Sequence, residues 1–164
     1  MAGPRRDPDA RGRSGRRRGQ GVAAVTKTLT VFGDAQSAGA AVLRTALAGR
    51  AEEFAAGATI GTKVPTDRSP ELSKLPYVMV RKDSDNPHSS MANSRVTLRV
   101  TVWHADADQA HDLAMLCQGL LIVHSGPVIR GVRPGTGPLP AVDDPSGVDL
   151  STFTVLANVK PQRA

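Results

Sequence analysis

Ser94–His124 reads SRVTLRVTVWHADADQAHDLAMLCQGLLIVH, and within it the hydrophobic period changes from two to about 3.6 close to Trp103. Val96, Leu98, Val100 and Val102 alternate with Arg95, Thr97, Arg99 and Thr101, the pattern of a strand with one buried face. From Asp106 onward, Ala110, Leu113, Ala114, Cys117, Leu120 and Leu121 recur at helical spacing. The stretch therefore predicts a strand followed directly by a helix that folds back on it, and it carries no evident catalytic group.

The rest of the chain is read outward from this unit. A helix is predicted from an Asp34 N-cap through AQSAGAAVLRTALAGRAEEF, with Ala38, Val42, Leu43, Ala46, Leu47 and Phe54 on one stripe and Gly57 as its stop. Strands are expected at Thr59–Val64, ended by Pro65, and at Pro76–Lys82. Asp83–Asn93 is polar, contains Asn86-Pro87, and reads as a long loop between antiparallel strands. Beyond the second helix come a short strand at Pro127–Val132, a Gly/Pro-rich loop of about 17 residues within Gly131–Asp149, and a closing strand at Thr152–Lys160. The order is α-β-β-β-α-β-β. It points to an α+β fold, a mostly antiparallel sheet with two helices packed on one face.

At 164 residues with 40% apolar content the chain suits one soluble domain. The net charge of +6 is unevenly placed: residues 1–20 hold seven arginines against Asp7 and Asp9, a net of +5, which leaves +1 for the remainder. The pI thus describes an appended arm and gives no case for a basic folded body. Residues 1–25 are expected to be a disordered arginine-rich arm, and 26–164 a single domain. Three readings of the arm stay open: a nucleic-acid-binding tail, a solubilising tail, or residues ahead of a true start at Val22 or Val25. The arm lacks the apolar run of about 7–15 residues of a secretory signal, and no segment approaches the ~20 of a membrane span, so a soluble product made in a cytoplasm and without membrane contact is expected. Cys117 is the only cysteine, which leaves no internal disulfide or cysteine-based zinc cluster within one chain.

Chemistry-bearing groups are few. His104, Asp106, Asp108, His111 and Asp112 could in principle ligate a metal, as in HD-motif phosphohydrolases, but those are largely helical and need further ligands. The competing reading makes Asp106 and Asp108 the capping acids of a helix start, with His111 and Asp112 near its solvated face. Gly131, Gly135 and Gly137 precede a strand rather than a helix, which argues against a phosphate loop, and no Gly-x-Ser-x-Gly elbow occurs. With aromatics at 3%, no ring platform for stacked bases is expected. Trp103 is assigned either to packing beneath the start of the second helix or to anchoring a neighbouring subunit. No cofactor and no enzymatic activity are indicated.

LTVFGDAQSAGAAVLRTALAG, TKVPTDRSPELSKLPYVMVRKDSD, RVTLRVTVWHADADQAHDLAMLCQGLL and GPLPAVDDPSGVDLSTFTVLANVKP together resemble the tail terminator (tail completion) proteins of long-tailed bacteriophages, especially those of actinobacterial viruses. The resemblance covers about residues 29–161. Relatives often carry a glycine pair where this chain has Asp83-Ser84-Asp85. The resemblance implies a virion protein of the tail and neck, forming a ring, most often a hexamer. Such a ring caps the tail tube, ends its polymerisation and joins tail to head. Its implied partners are copies of itself, the major tail tube protein, head-tail connector proteins and genomic DNA passing through without sequence-specific binding. The interface residues expected from the two long loops are Arg81, Lys82, Asp85, Asn86 and His88, then Arg130, Arg133, Asp143 and Asp144, with Trp103 as a further anchor. A connector or stopper component and a small DNA-binding module using the arm are the alternatives.

Overall fold

A computed structural model describes Gly3 and residues 30–64, 74–90 and 93–163; apart from Gly3, the arginine arm lies outside the described residues. Side chains are described for all of these except residues 30, 86–90, 93 and 163. In chain order the elements are β1 (Thr30–Phe32), α1 (Ala35–Leu47), β2 (Thr59–Gly61), β3 (Tyr77–Ser90), β4 (Asn93–His104), α2 (Ala107–Ile122), β5 (Ile129–Pro134), β6 (Leu139–Asp143), β7 (Val148–Val159) and β8 (Pro161–Arg163). The class is α+β.

The main sheet runs β2-β3-β4-β7-β5, with β6 also on β7. All pairings are antiparallel except β2 on β3. β7 is the spine: it pairs with β4 from Asp149 to Val159 on one side, while β5 and β6 divide its other side between them. β1 and β8 form a separate two-stranded ribbon.

Both helices lie on one face because the sheet's apolar positions alternate onto that face. Val78, Val80, Val96, Leu98, Val100 and Val102 join Phe153, Val155, Ala157 and Val159 beneath Leu43, Leu47, Leu113, Cys117 and Leu121. Each fully buried Leu or Phe here contributes about 1.5–3 kcal/mol through removal from water. The closest approach of α1 to the sheet is at Gly39, where an added Cβ would sit 3.2 Å from Leu98 Cδ1 and 3.3 Å from Val80 Cγ1. Small residues on α1 thus bring the helix down onto the strands.

Several sequence expectations are corrected. α1 stops at Leu47 instead of continuing to Phe54, because Gly49 turns the chain at a φ of 73°. Arg50 Nε donates to the Ala46 carbonyl at 3.1 Å, satisfying one of the helix's free acceptors. Phe54 and Ala55 still pack on the core, from the turn that follows. Within the supposed loop Asp83–Asn93, residues 83–90 belong to β3 and Asn93 to β4, in a long hairpin with a register shift between Lys82 and Ser84, and the polar Asp83, Ser84 and Asp85 are exposed strand residues. The supposed loop Gly131–Asp149 contains β6, which turns into β7 at Gly147 with a φ of 67°. The β5 strand lies at Ile129–Pro134, β2 ends at Gly61, and β1, β6 and β8 add three short strands to the expected order.

Candidate assembly surface

The sheet face away from the helices is built from the other half of each alternation: Tyr77, Met79 and Arg81 on β3, Arg95, Thr97, Arg99, Thr101 and Trp103 on β4, and Leu150, Thr152, Thr154 and Leu156 on β7. Trp103 belongs to this face, not to the space beneath α2. Its parity with Thr101, opposite to that of Val102, decides the side. It packs with Met79 and Val148 in a small second cluster bordered by Leu75, Tyr77 and Leu150. The Tyr77 and Trp103 rings are tilted at 54° with centroids 6.0 Å apart. Tyr77 Oη donates to the Lys63 carbonyl at 2.9 Å, while burial pushes the phenol's pKa up. The Trp103 indole N–H is buried without a hydrogen-bond partner, and only 3% of the residue is exposed.

The remaining expected interface residues fall at two ends of the sheet. Arg81, Lys82 and Asp85 lie on the outward half of β3, where Lys82 Nζ donates to Asp85 at 2.5 Å. Arg130 and Arg133 are exposed on β5 at the same end. Asn86 and His88 are within β3, but their side chains lie outside the described residues. Asp143 and Asp144 sit at the opposite end, in the β6-β7 turn, where Ser146 Oγ donates to the Asp143 carboxylate and Gly147 N–H donates to its carbonyl at 2.7 Å. Asp143 is 9% exposed and serves the turn; Asp144 is exposed.

Sequence reading passed over Arg95 and Arg99, which stand on the same face as Arg81. The signal was present in the outward positions of the strand alternation, read there only as solvated. Arg81 and Arg99 are directly opposite across β3 and β4, and Arg99 Nη2 meets Asp83 at 2.7 Å.

The sheet also presents two unpaired margins. Among the described residues, no strand pairs with β3 beyond Met79 on the side away from β4, and none pairs with the outer sides of β5 or β6. On the β3 margin, Gln36 Oε1 of α1 accepts the Lys82 N–H at 2.8 Å, a side chain standing in for a strand partner. On the β6 margin, Leu139 and Val142 are 58% and 56% exposed. Between the helices, Val42, Thr45, Leu120, Val123 and Pro127 line an open, largely apolar groove of about 700 Å³.

The histidine-aspartate cluster resolves into local structure. Asp106 accepts the Gln109 N–H at 2.9 Å and caps α2, while His104 Nδ1 accepts the Asp106 N–H at 3.1 Å. His104 is therefore held as a neutral imidazole, its pKa lowered by burial and only partly restored by the Asp106 carboxylate. Among the described residues no group of three or more His, Cys, Asp or Glu is placed to hold a metal, and no helix is long and apolar enough to cross a membrane. No protein-family model matches the chain, and no curated protein matches it.

Proposed function

We propose that the chain is a virion structural protein of the tail terminator type, which assembles into a ring on the end of a tail tube, ends tube growth and joins tail to head. The observation that carries this reading is the pair of margins, unpaired among the described residues, on opposite sides of one sheet: β3 beyond Met79 on one and β5 with β6 on the other. A surface that differs from the one it meets makes a heterologous contact, and such contacts close into rings when the rotation per subunit permits. The β6 margin adds apolar content, since Leu139 and Val142 are exposed on an edge strand, a position that single-chain proteins usually keep charged or covered.

In that arrangement the sheet continues from subunit to subunit, with α1 and α2 on one side of the wall and the arginine-bearing face on the other. The tube protein and the head-side connector would meet the two rims, and DNA would pass through the centre. Sedimentation velocity of the intact chain and of a Leu139→Lys, Val142→Lys variant tests the contact. The parent is expected to form a closed oligomer, and the variant to remain a folded monomer. An unchanged size distribution in the variant would remove the β6 margin from the interface.

A further inference from the structure

We propose that the helix-free sheet face binds the phosphate backbone of duplex DNA, through Arg81, Arg95, Arg99 and Arg133, without reading sequence. The four residues come from three strands, β3, β4 and β5, and strand alternation puts all of them on the same side. Arg95 and Arg99 are four residues apart, roughly 13 Å along the strand, and β3 and β5 are separated by three strand spacings, roughly 14 Å. The patch thus extends roughly 13–14 Å in each direction, enough to lie over more than one phosphate of a duplex backbone.

Among the described residues the charge of this patch is balanced only in part. Asp83, on Arg99, is the single carboxylate paired with any of the four among the described residues. Arg81 faces Arg99 directly across the ladder, and like charges at such positions destabilise a sheet unless something anionic lies over them. Arginine is also suited to this task, since its planar fork donates to two phosphate oxygens at once.

The neighbouring side chains favour nucleic-acid backbone over an acidic protein or exposed bases. Thr97 lies among the arginines and supplies a hydroxyl, the Thr154 hydroxyl being bonded to Thr136; Leu156 is the large apolar residue exposed among them, and Leu139, opposite Thr152, is exposed nearer the edge of the same face. A protein partner would need an apolar centre to anchor on. Stacked bases would need exposed rings, yet Tyr77 and Trp103 are packed at the other end of the face. The proposal leans on the ring reading only for which way the face points; binding itself is measurable whatever the oligomeric state.

The test is titration of the full chain with a fluorescent 30-base-pair duplex of arbitrary sequence at several salt concentrations. An Arg81→Gln, Arg95→Gln, Arg133→Gln variant is compared with a charge-matched control, Arg44→Gln, Lys63→Gln, Lys74→Gln, whose sites lie off the patch. Both keep the arginine arm, so arm-mediated binding is common to them. The sheet variant is expected to bind about tenfold or more weakly than the control, with the log-log salt slope reduced by about two to three. Equal affinity and slope for the two variants would overturn the proposal, as would equal displacement of the duplex by polyglutamate of matched charge. Should the sheet variant fail to fold, Asp83→Asn decides: removal of that carboxylate is expected to tighten binding several-fold, and unchanged or weaker binding would refute the assignment. Sedimentation of the same samples reports ring formation separately, so failure of one claim does not masquerade as failure of the other.

Discussion

Asp34, His104 and Cys117 show how single side chains carry the local logic of this fold. Asp34 accepts the N–H groups of Gln36 and Ser37 at 3.0 and 3.3 Å, and the Ser37 hydroxyl bonded to its carboxylate is the main cause that lowers its pKa. Asp34→Ala is expected to cost about 1 kcal/mol, read as a lower thermal midpoint at neutral pH. His104 works in the same sense with respect to pH. Its folded pKa lies below that of the unfolded chain, so the unfolded state binds more protons once pH drops below about 6.5, and stability falls from there down to the folded pKa. Between pH 7.5 and 5 the denaturation midpoint of the parent should fall more than that of His104→Asn, and parallel profiles would show that the imidazole does not titrate differently in the two states. The Cys117 thiol is pushed up to about 12 by burial, so native protein should react with a thiol reagent at pH 8 only as fast as it opens. Asp34, Asp106 and inward-facing Cys117 were legible from the sequence, because caps and helical stripes are local. The side on which Trp103 lies depends on how far the strand runs: because β4 continues to His104, Trp103 keeps the outward parity of Thr101.

At the scale of elements, the strand-to-helix unit at Ser94–Ile122 was readable because its two periods are unbroken: the apolar positions named are buried except Leu120, which is partly so, while Ser94, Thr101, Trp103 and His104 are buried besides. The misread pieces share one physical cause. Lys82–Asp85 and most of Leu139–Asp143 are exposed strand positions, so nothing in their polarity alternates, and pairing supplied by β4 and β7 overrides composition. α1 was drawn too long because Glu52, Glu53 and Phe54 continue its pattern, whereas the turn at Gly49 is set by backbone freedom. Packing between α1 and the sheet is tightest at Gly39, so Gly39→Val should crowd Leu98 and Val80 and cost about 1–3 kcal/mol, measured by denaturant unfolding. In the core beneath both helices, Phe153→Ala is expected to lose about 3–5 kcal/mol, since the ring is fully buried at the centre of β7.

For the whole molecule, one layer of helices over one sheet leaves a second face and two margins without a strand or helix over them among the described residues. A small apolar cluster around Trp103 occupies one end of that face and arginines the other. Of the residues expected at an interface, Arg81, Lys82, Arg130 and Arg133 stand together at one end of the sheet, whereas Asp143 is bonded within its own turn and Trp103 packs in its own cluster. Margins cannot be seen in sequence, because they are defined by which strands fail to find a partner. The claim that these margins meet in a ring on a tube end is tested most directly by electron microscopy of tail tubes polymerised from the tube protein of the same virus, with and without this chain. The account predicts that tubes grown with it carry a ring of density at one end and stop lengthening; tubes that keep growing with bare ends at saturating concentrations of the chain would contradict it.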